Sequence, residues 1–211
     1  NPNREIINAY ELSRTQLNHS MGRVPNGTGE FKIFASPTLG EENTGQSYTG
    51  YAESIEFSIE PGFYYGSQEL EFLHSNIDVN IRYTTNGDTP FFGSTQYTAP
   101  LILYETQIIQ AIVIPSDTNL LPSYLTFGTF FIDESHVLPI ISASAGQLLT
   151  MLNGNQNLRP HGTIEYFEDG ERKDFGYGEY NKHGQDSWAF NQRSFDYIAR
   201  DEMGYHYAVK R

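Results

Sequence analysis

The chain has 211 residues, a formal net charge of −13 and no cysteine. It therefore holds neither a disulfide framework nor a thiolate metal site, and without a basic stripe it is a poor partner for nucleic acid or an anionic membrane surface. With 38% hydrophobic residues, 15 Tyr, 14 Phe and 19 Gly, the composition supports a sizeable core made mostly of strands and turns.

In chain order, residues 1–50 show little hydrophobic periodicity. Glu5-Ile6-Ile7 and Tyr10-Glu11-Leu12 read as short strands, while Gly27-Thr28-Gly29 and Pro37-Thr38-Leu39-Gly40 carry loop chemistry. The next block, 51–134, predicts strands at 54–59, 68–73, 80–85, 101–104, 108–114 and 126–132. The turn clusters between them have the spacing of one antiparallel sandwich. Within it Val79, Ile81 and Tyr83 alternate with Asn80, Arg82 and Thr84, the period of a strand with one buried face. Asn86-Gly87-Asp88 follows with residues that tolerate positive φ, so a sharp turn is expected there. The longest apolar run, 101–115, is interrupted by Glu105, Thr106 and Gln107. It reads as two strands and falls short of the roughly 20 residues of a membrane span.

The last block, 135–211, opens with a strand containing Val137, Ile140 and Ile141. A helix is predicted over 144–152 with Leu148, Leu149 and Leu152 on one face, closed by Asn153-Gly154-Asn155. Ile164 to Phe167 form a further strand, and Glu168-Asp169-Gly170-Glu171 a tight acidic turn. The expected fold class is mostly β, an immunoglobulin-like antiparallel β-sandwich followed by a partial α+β segment.

Three stretches resemble known families. FSIEPGFY (57–64), IRYTTNGDTP (81–90), YTAPLIL (97–103) and IIQAIVI (108–114), in that order, resemble the immunoglobulin-like C-terminal domain of chitobiases and β-hexosaminidases. That resemblance implies an accessory sandwich with no catalytic residues over about 53–133. SMGRVPNGTGEF (20–31) with SPTLGEEN (36–43) is similar to the closing strands of the bacterial lamin-tail domain. HVLPIIS (136–142), IEYFEDG (164–170), KHGQDSW (182–188) and QRSFDYIARDEMG (192–204) resemble the start of a CotH-type domain, a protein-kinase-like family first known from spore coats. Together they imply a fragment of a secreted or surface-displayed modular bacterial protein. Both ends are expected to be cut from larger domains. The N-terminus lacks signal-peptide features, so any targeting segment is expected to lie outside this chain. The implied partners are neighbouring domains of the same polypeptide or another surface or secretion protein, with polysaccharide as the alternative.

No catalytic residue, metal site or cofactor is expected. The CotH resemblance implies a phosphate contact at Arg193, where that family usually carries a lysine before the serine; a planar guanidinium does not replace a point charge one for one. The acids that would hold metal for phosphoryl transfer lie beyond this stretch in that family. His183, Asp186 and Ser187 are close in sequence, but a triad is defined by geometry, so a turn is the expected role. Glu168, Asp169 and Glu171 lack the alternating oxygen ligands of a calcium loop, and the six His show no i, i+4 pair for zinc. Asn18-His19-Ser20 and Asn26-Gly27-Thr28 match the glycosylation acceptor pattern, read as accidental in a bacterial chain. The rings of Phe63, Tyr64 and Tyr65, and of Phe91, Phe92 and Tyr97, carry two readings. Alternate rings fill the core and line hairpins, or Phe63, Tyr64, Phe91 and Phe92 stack on sugar faces.

Overall fold

The structure is a computed structural model that describes residues 9–76, 78–154, 157–184 and 193–199. Near the N-terminus β1 (Ser20–Val24) and β2 (Glu30–Phe34) form a hairpin, and β3 (Ser47–Tyr48) completes a three-stranded sheet. The strand expected at Tyr10–Leu12 does not form. Tyr10 stacks its ring on Phe31, with centroids 4.1 Å apart, and Leu12 is exposed, so side-chain stacking holds this stretch where a ladder was expected. Glu5 to Ile7 lie outside the described residues. This region is tied to the next by polar groups: the Gln16 side-chain amide donates to the carbonyls of Pro122 and Ser123 at 3.1 Å each, and the Tyr124 hydroxyl donates to the Arg14 carbonyl at 3.0 Å.

The sandwich contains β4 (Gly50–Tyr51), β5 (Glu56–Phe57), β6 (Gly62–Tyr64), β7 (Gln68–Leu70), β8 (Phe72–Leu73), β9 (Asn80–Thr84), β10 (Thr95–Gln96), β11 (Leu101–Leu103), β12 (Gln107–Ile114), β13 (Leu120–Leu121) and β14 (Thr126–Ile132). One face is built in the order β10-β9-β12-β14-β6, and the other from the short pairs β5-β8 and β7-β11. Alternation decides what fills the space between them. Ile81 of β9, Ile109, Ala111 and Val113 of β12, and Phe130 and Ile132 of β14 point inward against Leu70, Phe72 and Leu103. Tyr83 joins this cluster half-buried, edge-on to Phe72. The strand expected at 68–73 divides at Glu71, whose backbone N–H is taken by the Ser58 hydroxyl at 2.8 Å.

Ile81 retains 5% of its exposure. Ile81→Ala should therefore cost about 2–5 kcal/mol, read as a lower urea midpoint at unchanged slope; a cost under about 1 kcal/mol would place the side chain outside the core.

The last elements are β15 (Ile140–Ser144), α1 (Leu148–Leu152), β16 (His161–Glu168), β17 (Glu171–Lys182) and β18 (Phe195–Ala199). They extend the same sheet. Glu171 of β17 pairs with Gly62 of β6, and β16 and β15 follow outward, while β18 pairs with β17 further along. The turn between β16 and β17 has positive φ at Asp169 (53°) and Gly170 (79°), the Asp-Gly chemistry of a two-residue hairpin. This added sheet lies back across the outer face of β12 and β14, as contacts from Thr129 to Glu165 and from Gln110 to Thr163 show. The two strands are thereby covered on both faces, which is why TFGTFFI and QIIQAIVI read as near-continuous apolar runs.

The helix departs from expectation. Ser144 ends β15, and only Leu148–Leu152 are helical. Leu148 and Met151 are buried, whereas Leu149 is 73% exposed. Met151 reaches the second core around Tyr180, Phe195 and Tyr197 because i and i+3 share a helix face and i and i+1 do not. Val137, expected in the strand of Ile140 and Ile141, lies before β15 and is fully exposed.

Candidate functional site

Three places bring chemistry-bearing side chains together. The first is a cleft of about 380 Å³ between the end of β6, the connection 134–140 and the turn joining β16 to β17. Phe63 and Phe167 line its floor, with Phe131 packed behind them. Phe63 stacks on Phe131 at 4.4 Å, and Phe167 stands edge-on to both, at 5.9 and 5.2 Å. The rim holds Glu134, Glu168 and Asp169 together with His136, Val137 and Leu138. Glu134 accepts from the Thr106 hydroxyl and from His136 Nε2 at 3.1 Å; the Thr106 hydroxyl first, then His136, holds its carboxyl below the ordinary value. On the far side of the turn Glu171 pairs with Lys173 at 2.5 Å. Among the described residues no group of three His, Asp or Glu side chains is placed to hold a metal ion.

The second is an aromatic tip. Phe91 and Phe92 sit in the connection between β9 and β10 and are 67% and 70% exposed. The Arg82 guanidinium lies over the Phe92 ring at 5.5 Å and donates to the Ser94 carbonyl at 3.0 Å, fixing the loop's base. The four rings expected to stack on sugars are thus not one platform: β9 and β6 are separated in the sheet by β12 and β14. Phe63 belongs to the cleft floor. Tyr64 packs against the sandwich core and donates its hydroxyl to the Glu60 carbonyl at 2.5 Å. Tyr97 stacks on Phe72 at 4.4 Å, whereas Tyr65 is exposed.

The third is a buried polar seam between the two layers. Glu165 of β16, 1% exposed, accepts from the Thr129 hydroxyl at 2.5 Å and from Arg172 Nη1 at 3.1 Å. Because the Thr129 hydroxyl is spent on this carboxylate, Ser142 is the donor in the 2.7 Å contact between the two hydroxyls. Arg172 also donates to the Phe127 carbonyl at 3.1 Å and covers the Phe175 ring at 4.3 Å. Burial pushes the Glu165 carboxyl up, against the opposing pull of Thr129 and Arg172. Alongside, Gln110 Nε2 and Ser144 Oγ both donate to the Gly87 carbonyl at 2.8 Å. Thr129 to Glu165 and to Ser142, Arg172 to the Phe127 carbonyl and Ser144 to the Gly87 carbonyl cross between the layers, so the seam clamps them in one register. The polar letters inside otherwise apolar runs, Gln110, Thr129 and Glu165, were the available sequence signal for it.

Arg193 is half-buried just before β18. His183 pairs with Asp196 at 2.7 Å across β17 and β18; Asp186 and Ser187 lie outside the described residues. No described helix is long and apolar enough to cross a membrane.

Residues 59–124 match the family model of the chitobiase/beta-hexosaminidase C-terminal domain. The match covers the sandwich from the end of β5 to the approach to β14 and less than half of the chain. No curated protein and no solved structure matches the chain.

Proposed function

We propose that this chain is a non-catalytic structural and interaction segment of a modular secreted or surface-displayed bacterial protein. The observation that carries this reading is the family match over 59–124, since the C-terminal module of chitobiases and β-hexosaminidases is an accessory sandwich that does no chemistry itself. The resemblances of 20–43 to a lamin-tail domain and of 136–204 to the opening of a CotH-type domain extend it: the sandwich stands as a spacer between neighbours. The clamped seam supports the same role, because a spacer whose layers are locked passes orientation from one neighbour to the next.

A second reading, a carbohydrate-binding module, is favoured by Phe91 and Phe92, 67% and 70% exposed side by side at the loop tip, the kind of rings that stack on sugars. One set of assays separates the readings. The purified chain should release no reducing sugar from chitin oligomers and show no ATP-dependent labelling. Turnover that survives repurification and vanishes with Arg193→Ala would overturn the assignment in favour of a kinase-like activity. Retention on insoluble chitin that disappears in the Phe91→Ala/Phe92→Ala double variant would move the sugar-binding reading to first place.

A further inference from the structure

The cleft beside Phe63 has walls of opposite character. Its floor of phenyl rings and its exposed Val137 and Leu138 are apolar, and its charged rim is acidic on two sides, with Glu134 from the connection and Glu168 and Asp169 from the hairpin. Among the described residues no lysine or arginine lines it. His136, the lining group able to carry positive charge, is already bonded to Glu134, and Lys173 nearby is paired with Glu171, its charge also reaching Asp169 and Glu168 from outside the cleft.

Two ligand features follow. An apolar stem is needed to cover the rings and the aliphatic wall, and a cation is needed at the rim, where a second anion would be repelled. Lysine and arginine side chains combine both, since their methylene stems lie along apolar surface while the head stays with charge and water, and a cation over a phenyl face gains further. The cleft's volume of about 380 Å³ falls in the range of small-ligand pockets, which suits side chains of an extended segment better than the flat face of a folded domain. The net charge of −13 adds a long-range field that draws a basic partner toward this face.

We propose that this cleft is a docking site for a lysine- or arginine-bearing extended segment of a protein partner. The proposal rests on the interaction-segment reading and names the partner's chemistry. Its probe is fluorescein-labelled octalysine, titrated by anisotropy against the 211-residue chain at 0.15 M salt.

The Glu134→Gln/Asp169→Asn variant should bind at least tenfold more weakly; both substitutions keep an acceptor, and Asn tolerates the positive φ of position 169. Glu41→Gln/Glu42→Gln removes equal charge from an exposed loop outside the cleft, and should leave affinity within twofold. Leu138→Ser should weaken binding several-fold with no change in charge. Equal loss in the two charge variants would reduce the effect to net charge and overturn the site. So would an unchanged affinity in the cleft variant, or cleft-dependent binding of glucosamine oligomers in place of octalysine. None of these outcomes depends on the turnover assays, so losing the site leaves the accessory-segment reading to be judged separately.

Discussion

Gly87→Ala is expected to be among the most damaging single-methyl changes in this chain, on the order of 3–5 kcal/mol. The backbone at Gly87 has φ +79°, and an added Cβ would lie 1.8 Å from Ser144 Oγ and 2.9 Å from Ser144 Cβ. The conformation alone costs an L-residue roughly 1–2 kcal/mol. The clash adds more, because the loop cannot retreat without losing the hydrogen bonds that Gln110 and Ser144 give to the Gly87 carbonyl. A buried donor left without its acceptor costs about 1–3 kcal/mol. Gln110 already carries one buried side-chain oxygen without a protein partner, so little slack remains there.

Gly40→Ala separates the two effects. Its φ is +77°, but nothing lies within 4 Å of the new methyl, so it should show the backbone cost only. In urea melts Gly87→Ala should exceed Gly40→Ala by about 2 kcal/mol or more, and Ser144→Gly in the same chain should return part of the difference as a coupling within the usual 0.5–3 kcal/mol. Equal costs for the two glycines would show that the layers do not meet at this point.

Gly87 also marks where sequence reasoning reaches its limit. Positive φ at Asn86-Gly87-Asp88 was legible from residue type, and Gly87 has it. Its use was not legible. The chain does not return directly into a long partner strand; β10 is only Thr95–Gln96, paired to Tyr83 and Arg82, and the glycine is there because another layer presses on it. The inward alternation of Ile81 and the six sandwich strands were readable because apolar period and turn chemistry are local properties. The second face of β12 and β14 was not, because its covering comes from residues more than thirty positions away, as in the contacts of Thr129 with Glu165. A polar side chain opposite an apolar one in a strand looks like a solvent face until something is known to cover it. The helix failed for a related reason: Met151 outranks Leu149 in the second core because of which side β17 lies on. Of the candidate site, Phe63 was picked out by its aromatic character. Glu134, His136 and Asp169 were brought to it by a connection and a hairpin turn that carry no local signal of meeting.

Glu165→Ala is expected to destabilise the chain by about 3–5 kcal/mol, the cost of leaving a buried charge without its counterpart. Arg172, with a side chain 16% exposed, would keep its guanidinium against β14 with only the Phe127 carbonyl and the Phe175 ring as partners. Removing both members should behave differently. Glu165→Met with Arg172→Leu replaces two desolvated charges by apolar volume, and such exchanges range from neutral to stabilising. The double variant should therefore recover most of the loss, although the Thr129 and Ser142 hydroxyls must then satisfy each other. The pH dependence gives a second handle. Burial raises the carboxyl of Glu165 above its ordinary value of 4.5, so the folded chain binds this proton more tightly than the unfolded one. This group's contribution to stability is fully present below pH 4.5 and is lost as the pH rises through the raised value. Glu134 is shifted the opposite way, and its contribution is lost as the pH falls below 4.5. The total curve mixes the two, but the difference between the parent and Glu165→Gln isolates the first. That difference should move in favour of the Gln variant between pH 4.5 and 8. A difference that stays flat across this window, together with a Glu165→Ala cost below about 1 kcal/mol, would mean that the carboxylate is solvated and that the two layers are not held by this seam.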